Sequence, residues 1–150
     1  MVLVAEDDDK DVLLLEYAFR RANSQADLHF VSDGKMALSY LRASDQYSDR
    51  GKFPFPAVVL LDIKMPKMTG LDVLEAIRDD PDLTRLTVII FSSSAHERDL
   101  ERASDLHANS YLVKPSDGHE LTRLCQIVEE YWLTLHQSAP CRGEQSFLAH

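Results

Sequence analysis

The chain has 150 residues, 45% of them hydrophobic and 27% charged, the make-up of one globular domain with room for a proper core. A formal net charge of −9 excludes a nucleic-acid surface, which needs clustered Lys and Arg to displace counterions, and equally a polybasic membrane anchor. The longest apolar runs, such as Val58 to Leu61, are too short to span a bilayer, and Cys125 and Cys141 lie too far apart for a CxxC motif, so a cytoplasmic protein with unpaired thiols is expected.

Val2-Leu3-Val4-Ala5 reads as a short buried strand ending in the carboxylates Glu6-Asp7-Asp8-Asp9. Val12, Leu15, Ala18, Phe19 and Ala22 then recur at helical spacing. Asp8 or Asp9 suits the N-cap of that helix and Asp11 the positive end of its dipole, which leaves Glu6 and Asp7 at the strand tip with no helical role. Leu28 to Val31 is a second strand, and Asp33 caps a helix through Ala37, Leu38 and Leu41. Residues 44–56 are polar, carry Gly51, Pro54 and Pro56, and read as an exposed loop long enough to suit partner contact.

Val58-Val59-Leu60-Leu61 is a strand buried on both faces; it stops at Asp62 and breaks into a loop with Pro66 and Gly70. A helix through Leu71, Leu74 and Ile77 ends at Asp80-Pro81. Thr87 to Phe91 is the fourth strand, ending in Ser92-Ser93-Ser94, and the helix after it, about 95–106, has so thin an apolar stripe that it is held weakly. Ser110 to Val113 is the fifth strand, ending in Lys114-Pro115. The last helix, from about Asp117 to Leu135, carries Leu121, Leu124, Cys125, Val128, Tyr131, Trp132 and Leu135 on one stripe. The pattern dissolves at His136, so the expected division is one domain over 1–135 and a poorly ordered tail over 136–150. Such alternation implies a doubly wound α/β domain, a parallel sheet covered on both faces by right-handed crossovers.

In open α/β sheets chemistry gathers beyond the carboxyl ends of the strands. Here those ends carry Glu6 and Asp7, Asp62, Ser92 and Lys114. If the first and third strands are neighbours, three carboxylates converge and need a counter-charge. Mg²⁺ suits carboxylates plus waters and a phosphate oxygen, and the Lys114 ammonium adds a point charge. Such a site suits an incoming phosphoryl group, with Asp62 as nucleophile.

The set of an acidic pair at the first strand tip, Asp-x-x-Met-Pro-x-x-x-Gly at the third, a hydroxyl at the fourth and Lys-Pro at the fifth resembles the receiver domain of two-component response regulators over about residues 1–135. The resemblance implies a flavodoxin-like five-stranded parallel sheet in the order 2-1-3-4-5. It implies that Asp62 accepts a phosphoryl group from a phosphohistidine on a partner kinase. Asp7 would bind Mg²⁺ directly, Glu6 through water, and Lys64 through its backbone carbonyl. Ser92 and Lys114 would contact the phosphoryl group, and Tyr111 would turn inward with Ser92 as a switch that re-sets the fourth helix. The Lys114–Pro115 bond is expected to be cis, as in that family. The domain would be no enzyme beyond promoting its own phosphorylation and dephosphorylation.

No second domain or linker follows the receiver pattern, so the expected output is a protein contact. The long 44–56 loop and the extended last helix resemble single-domain regulators paired with phytochrome histidine kinases, which implies a homodimer through the last two helices. Trp132 then anchors that interface or covers the bottom of the sheet. Ser92 stands where Thr is commoner in the family, and the side chains of Lys64 and Ser94 are expected to border the phosphoryl group, Lys64 hindering attack by water. A phosphatase of the aspartyl-phosphate type wants a second Asp where Lys64 stands. A flavin module wants free amides where this chain has carboxylates. The serious alternative is a receiver-like binding module that is never phosphorylated.

Overall fold

The structure is a computed structural model and describes residues 1–145. The strands β1 (Val2–Ala5), β2 (Leu28–Val31), β3 (Val58–Leu61), β4 (Thr87–Ser92) and β5 (Ser110–Val113) are all parallel and lie in the order β2-β1-β3-β4-β5. Between and after them run α1 (Asp9–Arg21), α2 (Gly34–Leu41), α3 (Gly70–Asp79), α4 (Glu97–Asp105) and α5 (Gly118–Ile127). The expected doubly wound sheet and its strand order are therefore observed.

Alternate side chains of each strand serve opposite faces. Leu3, Ala5, Val59, Leu61, Val88 and Ile90 join the core under α2, α3 and α4. Val2, Val4, Val58, Leu60, Ile89 and Phe91 join the core under α1 and α5. The three inner strands are buried throughout, which is why they read as unbroken apolar runs, whereas the edge strands β2 and β5 are only partly buried. In register, Ala5 lies beside Leu61, Leu61 beside Ile90 and Ser92 beside Val113, so the strands end along one rim.

The segment 44–56 is more tightly held than its polarity suggests. It opens with a 3-10 helix (Asp45–Tyr47) whose Tyr47 is buried, and Phe53 and Phe55 pack against the core. Tyr40, Tyr47 and Phe53 form an aromatic cluster with ring centroids 5.0–5.9 Å apart, and the Arg50 guanidinium donates to the carbonyls of Tyr40, Leu41 and Phe53. Three aromatic side chains and one arginine thus turn an apparent open loop into a folded flap.

The last helix also differs in detail. α5 gives way to a π-helix (Val128–Leu135), and Trp132 and Leu133 pack against the α1–α5 core while Tyr131 and Leu135 stay exposed. Trp132 therefore covers the sheet rather than standing free. Beyond His136 the described residues include a buried side chain, Cys141, which joins the opposite core under α2–α4, and a short helix, α6 (Arg142–Gln145). The chain between Leu135 and Cys141 thus passes from one side of the sheet to the other, with one small apolar side chain packed into the core at its end. Residues 146–150 of the expected tail lie outside the described residues.

Candidate functional site

Glu6 leaves β1 directly, and its Oε1 accepts the Asp8 backbone N–H at 3.1 Å. Asp8 is the N-cap of α1, accepting from Lys10 and Asp11 N–H groups, so the helix begins at the rim and carries Asp11 on its first turn. Asp62 follows β3, buried, with Oδ1 accepting its neighbour's N–H (Ile63) at 2.8 Å. Carboxylate oxygens of Glu6, Asp7 and Asp62 all lie within 4.8 Å of one another. Glu6 and Asp62 are buried and Asp7 is exposed, so the trio is open on one side.

Lys114 leaves β5 and crosses to this trio. Its Nζ donates to Glu6, to Asp62 Oδ2 at 3.3 Å and to Asp11 Oδ2 at 3.1 Å, and its backbone N–H donates to the Ser92 carbonyl at 2.8 Å. Burial raises Glu6 from its ordinary 4.5 to about 7, even against the Lys114 hydrogen bond. Burial also pulls on the Lys114 ammonium, but the bond to Glu6 and the charge of Asp62 outweigh it and hold the lysine above its ordinary range. Four carboxylates face a single ammonium. The excess negative charge and the all-oxygen donor set fit a hard divalent cation.

The loop after Asp62 is folded back on it. The Gly70 N–H donates to the Ile63 carbonyl at 2.9 Å, and the Gly70 Cα lies so close to Asp62 that only a residue without a Cβ fits. Thr69 and Asp72 close a capping box that starts α3 at this point. Lys67, in the left-handed region at φ 68°, reaches Asp33 at 3.1 Å and ties the loop to the cap of α2.

On the β4 side, Ser92 is fully buried, and its Oγ accepts the Ser94 N–H at 3.2 Å. The Ser94 hydroxyl donates to Asp99 on α4 at 2.6 Å. The Tyr111 hydroxyl donates to the Ser94 carbonyl at 2.8 Å, so this aromatic is already docked on the β4–α4 loop. Lys64 is exposed to solvent. The Lys114–Pro115 peptide is trans, not the expected cis. An X–Pro bond favours trans by about 0.5–1 kcal/mol, and here three carboxylates rather than a cis turn direct the lysine.

Of the residues singled out from sequence, Glu6, Asp7, Asp62 and Lys114 come together, and Ser92 and Tyr111 are linked through Ser94. The acidic first turn of α1 is accounted for by the helix dipole, which hides the second role of Asp11; its signal is its place in the first turn of a helix that starts at the rim.

A doubly wound sheet in this order, with an acidic trio and a lysine on its carboxyl rim, defines a flavodoxin-like receiver fold. The family model described as the response regulator receiver domain matches residues 2–126, and the chain belongs to that family. It is 38% identical to the response regulator RPA3017 in red light signaling of R. palustris, with a TM-score of 0.87 and coverage of 92% of this chain and 96% of that one. It is 35% identical to the probable methanogenesis regulatory protein FilR2 of Methanothrix harundinacea over 92% of this chain and 86% of the relative. It is 33% identical to the phosphorylated cyanobacterial phytochrome response regulator RcpA, with a TM-score of 0.83 and coverage of 91% and 96%.

Proposed function

We propose that this receiver accepts a phosphoryl group on Asp62 from the phosphohistidine of a phytochrome-type histidine kinase and signals through phosphorylation-dependent protein contacts. The observation that carries the reading is Lys114 Nζ reaching Asp62 and Glu6 from β5 while Asp7 completes the carboxylate trio. An Asp62 carboxylate oxygen attacks phosphorus, the bond to the donor imidazole nitrogen breaks, and the imidazole leaves with the electron pair. Lys114 steadies the charge on the phosphoryl oxygens. Mg²⁺, held by Glu6, Asp7, Asp62 and the Lys64 backbone carbonyl, would neutralise charge on the same oxygens. Ser92 donates its hydroxyl hydrogen to a phosphoryl oxygen and slackens its bond to the Ser94 N–H. Tyr111 and Asp99, both bonded to Ser94, pass that change to α4.

Kinase pairing draws on the relatives named for phytochrome and red-light signalling, and FilR2, named for another process, makes direct transfer the deciding assay. A homodimer through the last two helices is supported by the exposed apolar side chains Leu100 on α4, Ile127 on α5, and Tyr131 and Leu135 beyond it. A cytoplasmic location accords with there being, among the described residues, no helix long and apolar enough to cross a membrane. Intact mass after incubation with Mg²⁺ and acetyl phosphate tests the reading. One phosphoryl group is gained by the wild type and none by Asp62→Asn or without Mg²⁺; equal labelling of Asp62→Asn overturns the assignment.

A further inference from the structure

The Lys114 ammonium has three N–H donors and three carboxylate partners, Glu6, Asp62 and Asp11. The partners are not equivalent. Glu6 and Asp62 belong to the convergent trio, and their side chains are 4% and 10% exposed. Asp11 stands on a helix instead of a strand end, outside the trio, and is 40% exposed. A phosphoryl oxygen that approaches Lys114 finds no unused donor, so one carboxylate has to be released. Releasing Glu6 or Asp62 would leave a buried charge without its partner, whereas Asp11 returns to water at little cost. A cleft lined by Asp11, Leu14, Phe91, Lys114 and Pro115 opens beside the ammonium and leaves it room to move once Asp11 lets go.

We infer that Asp11 is a positioning residue for Lys114: it seats the ammonium before the phosphoryl group arrives and is the partner exchanged for it. This rests on Asp62 being the phosphoacceptor. Asp11 competes with the phosphoryl group for the lysine and thereby weakens the hold of the site on that group. Because the pair is partly exposed, the effect is modest.

The test compares wild type, Asp11→Asn and Asp11→Glu by NMR, reading the ¹⁵N resonance of Lys114 Nζ, first without metal and then in a titration with Mg²⁺ and beryllofluoride, a mimic of the phosphoryl group. Asp11→Asn is expected to shift the metal-free Lys114 resonance and to bind beryllofluoride about two- to five-fold more tightly, the range for one partly exposed ion pair. Asp11→Glu is expected to restore both readings toward wild type. Equal or weaker binding by Asp11→Asn, or an unchanged Lys114 resonance, overturns the inference. Absence of beryllofluoride binding by the wild type would count against the phosphoacceptor reading instead, and the metal-free resonance would still decide whether Asp11 seats the lysine.

Discussion

Gly70→Ala is expected to damage stability and the acidic rim in one step. A Cβ placed on Gly70 falls 2.0 Å from the Asp62 carbonyl oxygen, 2.8 Å from its carbonyl carbon and 3.2 Å from the Ile63 Cα. Non-bonded heavy atoms rest at roughly 3.5–4.0 Å, so the backbone at Asp62 must retreat by on the order of 1 Å. All three obstructing atoms are main chain, and no change of rotamer relieves them. Overpacking of this kind costs about 1–3 kcal/mol, and backbone obstruction places Gly70→Ala at the upper end, about 3 kcal/mol. The gain of roughly 0.5–1 kcal/mol from alanine over glycine in a helix is smaller. The same retreat draws Asp62 away from Lys114, now 3.3 Å distant, and from the rest of the trio. Urea unfolding followed by circular dichroism reads the first effect, and Mg²⁺ binding on the same preparation reads the second. A variant within about 0.5 kcal/mol of wild type, the spread of ordinary surface changes, with undiminished Mg²⁺ affinity would refute the reasoning.

Glu6 makes a pH-dependent expectation possible. Its folded-state pKa is raised from 4.5 to about 7, so its contribution is full below pH 4.5, declines as pH rises, and is lost above about 7. In metal-free buffer, the stability difference between wild type and Glu6→Gln should therefore shift across this window, by at most roughly 3 kcal/mol, the wild type losing ground at higher pH; a pH-independent difference would contradict it. Thr69→Ala removes the side chain that accepts the Asp72 N–H and opens the capping box of α3, at an expected cost of about 1 kcal/mol in chemical denaturation. Tyr111→Phe removes the bond to the Ser94 carbonyl, and native-state hydrogen exchange should show α4 opening more readily while β4 stays protected. Unchanged exchange in α4 would separate Tyr111 from that helix.

The sheet was legible because its inner strands are buried on both faces and leave unbroken apolar runs, each ending in a polar residue. Those runs put Glu6, Asp7, Asp62 and Ser92 on one rim once the order of strands was known, and Lys114 joins them as the polar residue after the partly buried edge strand β5. What escaped the sequence had a competing local explanation or a single-residue cause. Asp11 is acidic in a first turn, as helices favour, yet also faces the lysine. Tyr47, Phe53 and Phe55 are scattered in a polar run with no period, so neither helix nor strand patterning registers their common packing against α2 and the core. Cys141 is one apolar side chain in a polar tail, and only its position beneath the sheet makes it an anchor. The Ser94 hydroxyl is tied to Asp99 of α4, a link that its two-residue spacing from Ser92 does not reveal.

The central claim is that the crowded carboxylates of the rim are balanced by a divalent cation acting with Lys114, and the Mg²⁺ dependence of unfolding tests it most directly. Wild-type stability should rise with Mg²⁺ by about 2.7 kcal/mol when the free ion exceeds its Kd a hundredfold, and most of that rise should vanish in Asp7→Asn and in Asp62→Asn. Stability indifferent to Mg²⁺, or an equal rise in both variants, would contradict it.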